Sequence, residues 1–220
     1  MTSTRNGFRL IGLCGRAGAG KDTCADLMAA AYGFSKIAFA DALRAEISRS
    51  FGVDPRDLSN RITKEQLTHA LAIGRSDDAR FIHLMASAGV CISAPRSPRQ
   101  IMRWWATEYR RALDGEEYWT LLAHDAIDSL MRRGVRRIVV TDVRFSNEAS
   151  FIKHMRGEVW RVRRAVADQI PGNHRSEIEL EAISPAHVVH NDGDIAALMR
   201  EVHDLCTRGR PTAEIPQAQL

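Results

Sequence analysis

No stretch of the 220-residue sequence approaches the roughly 18 consecutive apolar residues of a membrane-spanning helix. Residues 1–9 are polar, and the apolar run behind them ends at a glycine-rich loop, so no secretory leader is expected. Cysteine is scarce. Cys14, Cys24, Cys91 and Cys206 form no C-x-x-C pair, and a chain of this length needs no disulfide staples. They read as reduced thiols of a cytosolic protein. Lysine is scarce too, and no run of lysines or aromatic-interleaved basic strand suggests a nucleic-acid partner. No Ser/His/Asp set has a spacing that suggests nucleophilic catalysis, and no internal repeat is present.

What remains is globular in composition, with 45% hydrophobic and 26% charged residues, which excludes a disordered or low-complexity chain. The net charge of +4 suits an anionic small molecule as well as a nucleic acid. Arginine carries most of the positive charge, and its planar fork binds phosphate bidentately where lysine acts as a point charge.

Strand-like and helix-like segments alternate. Residues 8–14 (FRLIGLC), 34–39 (FSKIAF), 137–143 (RIVVTDV), 158–162 (EVWRV) and 187–190 (HVVH) read as strands. The glycine loop 15–20 leads into a helix whose apolar positions Cys24, Leu27, Met28 and Ala31 recur at helical spacing. Asp41 is a candidate N-cap for a helix to about residue 51. Residues 121–133 and 147–156 read as helices, the second closed by Gly157. Asp194 caps a last helix ending near Cys206. The expected fold is α/β, a parallel five-stranded sheet between two layers of helices. One domain covers residues 1–207, with an arginine-rich helical insert at about 53–119. A polar segment lies at about 163–185, and a loose tail at 208–220 carries two prolines.

The chemistry concentrates at Gly15-Arg16-Ala17-Gly18-Ala19-Gly20-Lys21, which fits G-x-x-x-x-G-K between an apolar strand and a helix. Such glycines let the backbone wrap phosphates, and the helix N-terminus adds positive potential. Lys21 would reach the terminal phosphates. Asp22 follows the lysine and the hydroxyl comes one place later, at Thr23. The strand at 137–143 carries Asp142 near its end, an acid placed to hold Mg²⁺ or its waters, with Arg144 two residues on.

The G-K-x-T variant resembles the nucleoside monophosphate kinase group, and further strings narrow the resemblance to the phage-type deoxynucleoside monophosphate kinases. DVRFSNEA at 142–149 is similar to a segment of that family. FADALR at 39–44 resembles its FADPLK-like helix start, with Arg44 where lysine is common. The block PRQIMRWWATEYRRALDGEEYW resembles its arginine/Thr-Glu block, with Arg103 and Ala106 where glutamine and glycine are expected. HRSE at 174–177 resembles its lid, and HVVHNDGDIAAL the strand and turn beside the adenine. Together these span about residues 10–205.

The resemblance implies a three-layer P-loop kinase core with an NMP-binding insert and a lid. It implies ATP and Mg²⁺ as cofactors, with a deoxynucleoside monophosphate as acceptor. Residues 15–23, including Asp22, and Asn191 would bind ATP, and Thr23 and Asp142 would organise the metal. Lys21, Arg144, Arg163 and Arg164 would be catalytic. Phe39, Asp41, Arg44, Trp104, Glu108, Arg111, Arg144 and Glu148 would line the acceptor site, Glu148 orienting Arg144. His174, Arg175, Ser176 and Glu177 would belong to the lid. Of the pair Trp104-Trp105, one is expected to pack in the core and the other to face the cleft, while Tyr109 packs. The attacking oxygen of such an acceptor is already anionic, so positioning and charge neutralisation replace a general base. A homodimer is allowed, and location would be cytoplasmic, the host's if phage-encoded. The alternatives are a dephospho-CoA kinase or another small-molecule P-loop kinase, and a nucleotide-dependent nucleic-acid ATPase. A catalytically silent nucleotide switch is a third.

Overall fold

The computed structural model describes residues 7–60, 62–169 and 175–207. Five parallel strands form one sheet: β1 (Arg9–Cys14), β2 (Ser35–Ile37), β3 (Arg137–Val143), β4 (Glu158–Arg163) and β5 (His187–His190). Their spatial order is β2-β3-β1-β4-β5, so β1 is central. Parallel strands are normally covered on both faces, and here β1 alternates accordingly. Leu10 and Cys14 enter one core, while Ile11 and Leu13 enter the other. β3 and β4 follow suit, with Ile138, Val140 and Val159 on the first face and Val139, Trp160 and Val162 on the second.

The first long helix, α1 (Lys21–Tyr32), and the last, α11 (Ile195–Thr207), cover the second face, supplying Cys24, Met28, Leu198 and Val202. The other face takes α2 (Phe39–Phe51), α7 (Tyr118–Arg132) and α8 (Ser146–His154), through residues such as Ile47, Ile127 and Ile152. Between α2 and α7 lies the helical insert. It contains α3 (Pro55–Ser59), two single 3₁₀ turns, α4 (Ala79–Ser87), α5 (Pro98–Arg103), a π-helix over Trp104–Arg111 and α6 (Ala112–Asp114). Short α9 (Ala165–Asp168) follows β4, and α10 (Arg175–Ala182) precedes β5. Among the described residues, no helix is long and apolar enough to cross a membrane.

Three local expectations change. The second strand covers only Ser35–Ile37, because Phe39 already begins α2. Asp41 is not the N-cap of that helix. It sits at the third helical position and accepts the N–H of Ala38 at 2.7 Å. The residue that ends α8 in the left-handed region is Arg156 (φ 59°), not Gly157. Gly157 is needed for a different reason: a Cβ there would stand 2.7 Å from the Leu10 carbonyl oxygen.

Candidate active site at the C-terminal edge of the sheet

The glycine loop follows β1 and wraps the start of α1. Gly15 (φ 142°), Gly18 (φ 81°) and Gly20 (φ 99°) all take conformations that side chains resist. Space enforces the same choice. A Cβ on Gly15 would lie 2.3 Å from the Val162 carbonyl oxygen, and one on Gly20 2.2 Å from Asn191 Nδ2. Asn191, just beyond β5, donates that amide to the Ala19 carbonyl at 2.9 Å and so braces the loop.

Lys21 opens α1 and folds back over the loop. Its Nζ donates to the Gly15 and Arg16 carbonyls at 2.7 and 3.0 Å. Burial, and then the charge of Arg144, pull its ammonium down to about 8. Two cations therefore stand near one another, and neither is hydrogen-bonded to a carboxylate among the described residues. Arg144 is exposed just past the end of β3. Thr23 is exposed on the first turn of α1 and Asp22 lines a 310 Å³ cleft with Asp41, Arg44 and Thr141.

Asp142 joins two elements. Its Oδ1 accepts the Phe39 N–H at 2.8 Å and its Oδ2 the Ala40 N–H at 3.0 Å. The carboxylate thus caps the N-terminus of α2 from another strand, where the helix dipole favours negative charge. Burial still pushes the Asp142 carboxyl up, against the Ala40 amide and the Arg144 charge. This long-range cap explains why α2 starts at Phe39. The Phe39 ring points into the core, edge-on to Phe151 with centroids 6.1 Å apart.

Arg111 and Glu148 pair at 2.7 Å, each only 4% exposed. Arg111 also donates to the Glu116 carbonyl at 3.2 Å and lies over the Phe145 ring, 4.0 Å from its centroid. Glu148 Oε2 accepts the backbone N–H groups of Arg144 (2.8 Å) and Phe145 (3.2 Å). Glu148 therefore fixes the backbone of Arg144, leaving the guanidinium unpartnered among the described residues. Burial pushes its carboxyl up to about 7, with the Asp142 charge adding, while the two amides and Arg111 oppose the shift.

Asp41 and Arg44 pair with each other at 2.6 Å. Trp105 is buried among Phe51, Phe81 and Tyr109. Trp104 is half-buried, with the Arg96 guanidinium 5.5 Å from its ring. Tyr109 packs, its hydroxyl donating to Asp78 at 2.7 Å. Glu108 is exposed, 3.9 Å from Arg103. Arg163 and Arg164 are exposed at the end of β4, Arg163 paired with Asp168 at 3.0 Å. Of the expected lid residues, His174 and the side chains of Arg175, Ser176 and Glu177 lie outside the described residues.

Two acids have partners that sequence reading did not give them. Glu181 on α10 pairs with Arg16 of the glycine loop at 3.1 Å and with Arg161 of β4 at 3.3 Å. Glu46 on α2 accepts from Trp105 Nε1 at 2.7 Å, from Arg110 Nε at 2.8 Å and from the Tyr118 hydroxyl. Nothing local marks either one. Each takes its meaning from partners distant in sequence.

A five-stranded parallel sheet in this order, its central strand running into a glycine cradle and Lys21, defines a nucleotide-binding P-loop fold of the kinase type. A curated protein of Acanthamoeba polyphaga mimivirus, provisionally named a deoxynucleotide monophosphate kinase, is 26% identical over 189 residues. The alignment covers 82% of this chain and 86% of that one. The resemblance read from the sequence thus has a counterpart that spans most of both chains. The dephospho-CoA kinase of Campylobacter jejuni shares the fold, at 12% identity and a TM-score of 0.50, over 89% of this chain and 94% of its own. A sugar kinase from a Janibacter species overlays with a TM-score of 0.44 at 14% identity, over 90% of this chain and 93% of its own. No protein-family profile matches the sequence.

Proposed function

We propose that the protein transfers the γ-phosphoryl group of ATP to a deoxynucleoside monophosphate, giving ADP and the deoxynucleoside diphosphate. The carrying observation is the pair Lys21 and Arg144: two neighbouring cations above the central strands, neither hydrogen-bonded to a carboxylate among the described residues. A site built that way awaits a ligand of several negative charges. The viral relative's name supports the acceptor class.

The glycine loop would receive the triphosphate, and Lys21 would leave its two carbonyls for the terminal phosphates. Arg144 would hold the acceptor phosphate in line, its backbone fixed by Glu148. Arg111 acts at one remove, through Glu148 and Phe145. The Asp41–Arg44 pair and Trp104 would meet the sugar and base. Arg163 and Arg164, on the exposed end of β4, would screen the transferring group.

Among the described residues, no group of three His, Cys, Asp or Glu could cage a metal. Mg²⁺ commonly keeps several waters and takes one or two carboxylates plus substrate phosphates. Asp142 spends one bond on each oxygen and retains lone pairs, and with the exposed Thr23 hydroxyl on the first turn of α1 it would hold the ion or its waters. Held there, the ion would supply charge neutralisation to the phosphates.

A coupled ADP-release assay with ATP and Mg²⁺ tests the reading against the four deoxynucleoside monophosphates, their ribo forms and dephospho-CoA. Turnover with one or more deoxynucleotides is expected. Turnover with dephospho-CoA alone would move the acceptor class. ATP binding without turnover on any acceptor would sink the kinase reading.

A further inference from the structure

We propose that Glu46 is a positioning residue of the acceptor site, acting through the π-helix at Trp104–Arg111 on the loop that carries Arg144. The inference deepens the kinase reading given above and rests on it for its kinetic arm.

The winding of that segment is the starting point. In an α-helix, residues five apart point about 140° away from one another. The i→i+5 winding of a π-helix brings them onto one side. Trp105 and Arg110 are five apart, and Trp105 Nε1 and Arg110 Nε converge on the same oxygen of Glu46, at 2.7 and 2.8 Å. The other Glu46 oxygen takes the Tyr118 hydroxyl from α7. The Arg110 guanidinium lies 4.5 Å from the Tyr109 ring centroid and 5.0 Å from that of Tyr118, closing the cluster. Glu46 thus supplies a binding group that π winding satisfies and α winding would break.

Position 111 completes the chain of contacts. With Arg110 held on Glu46, the next residue, Arg111, points in a different direction from the helix and reaches Glu148 at 2.7 Å. The second oxygen of Glu148 holds the amides of Arg144 and Phe145. An α-helical relaxation of the segment would turn Arg111 off Glu148 and release the Arg144 loop. Every step is a direct contact, from Glu46 to Arg110 in the π-helix, then Arg111, Glu148 and Arg144. Isolated π-helices are rare and collect at functional sites.

The test uses the full chain with Glu46→Gln and Glu46→Ala, and two readouts. Amide exchange at Arg144 and Phe145, followed by NMR, needs no activity. Glu46→Ala is expected to speed it at least tenfold, while amides of β1 and α11 keep their wild-type protection. Glu46→Gln keeps one acceptor oxygen and is expected to fall between. In kinetics, Glu46→Ala is expected to raise KM for the monophosphate about tenfold and leave KM for ATP within twofold. Unchanged exchange at Arg144 and Phe145 in both folded variants would overturn the proposal. So would an equal rise in both KM values. Should Glu46→Ala not fold, the Glu46→Gln exchange decides alone. If the wild type turns over no monophosphate, the kinase reading fails while the exchange result still decides the coupling.

Discussion

Arg144 gathers the contacts of the site. Its backbone is pinned by Glu148 while its guanidinium is exposed and unpartnered among the described residues, the arrangement of a side chain held ready for a ligand. Arg144→Ala is expected to lower kcat by about 10²–10³, the cost of removing one preorganised donor from developing charge. ATP affinity, measured by calorimetry, is expected to stay within threefold, and a variant with near-normal turnover would exclude the residue from the chemistry. Glu148 makes a second prediction, in stability. Its folded carboxyl sits at about 7, above the ordinary 4.5, so folding takes up a proton between those values. The stability this adds is complete below about pH 4.5 and is lost as pH rises through about 7. Glu148→Gln removes the titration. The wild-type advantage in melting temperature over this variant is therefore expected to shrink between pH 5 and pH 8. A gap that widens with pH would refute the assignment.

At the scale of elements, two neighbouring residues behind α8 respond oppositely to substitution. Arg156 occupies the left-handed region without being glycine, so Arg156→Gly is expected to stabilise by about 1 kcal/mol. Gly157→Ala drives a methyl against the Leu10 carbonyl oxygen and Ile152, neither able to yield, and is expected to cost about 1–3 kcal/mol. Denaturant melts check both, and the reverse order would mean that α8 can shift on the sheet. These residues also show where sequence reading stops. Gly157 was legible as special, but its reason lies in Leu10 across the sheet, so it was mistaken for a helix terminator. The β1 and β3 strands and the glycine loop were legible because their signals are local: apolar runs, then glycines, then a lysine. The start of α2 was not, because its cap is Asp142 on another strand. The winding of Trp104–Arg111 was hidden for a related reason. Helical spacing keeps Trp105 and Arg110 apart, and only Glu46 brings them together.

Across the whole molecule, the order β2-β3-β1-β4-β5 was beyond the reach of a single sequence, since it depends on which crossovers pack, but the parallel α/β class followed from strands alternating with helices. Ligand linkage offers a global test. ATP at a hundredfold excess over its Kd is expected to add about 2.7 kcal/mol, worth roughly 5–10 °C in Tm for a chain of this size. Inorganic phosphate at the same concentration should give far less, and equal shifts would mean that the glycine loop does not read a triphosphate. The candidate site draws on residues 15–23, 39–44, 104–111, 142–148 and 191, from well-separated parts of a chain whose central strand is the first made. Asn191, the brace of the glycine loop, arrives almost last along the chain. Chains dominated by such distant pairings fold slowly. A ribosome-bound or C-terminally clipped chain that ends before β5 would hold the whole glycine-loop sequence without its Asn191 brace. On the kinase reading proposed above, turnover would then rise only as the closing strand docks, and refolding could be followed by turnover.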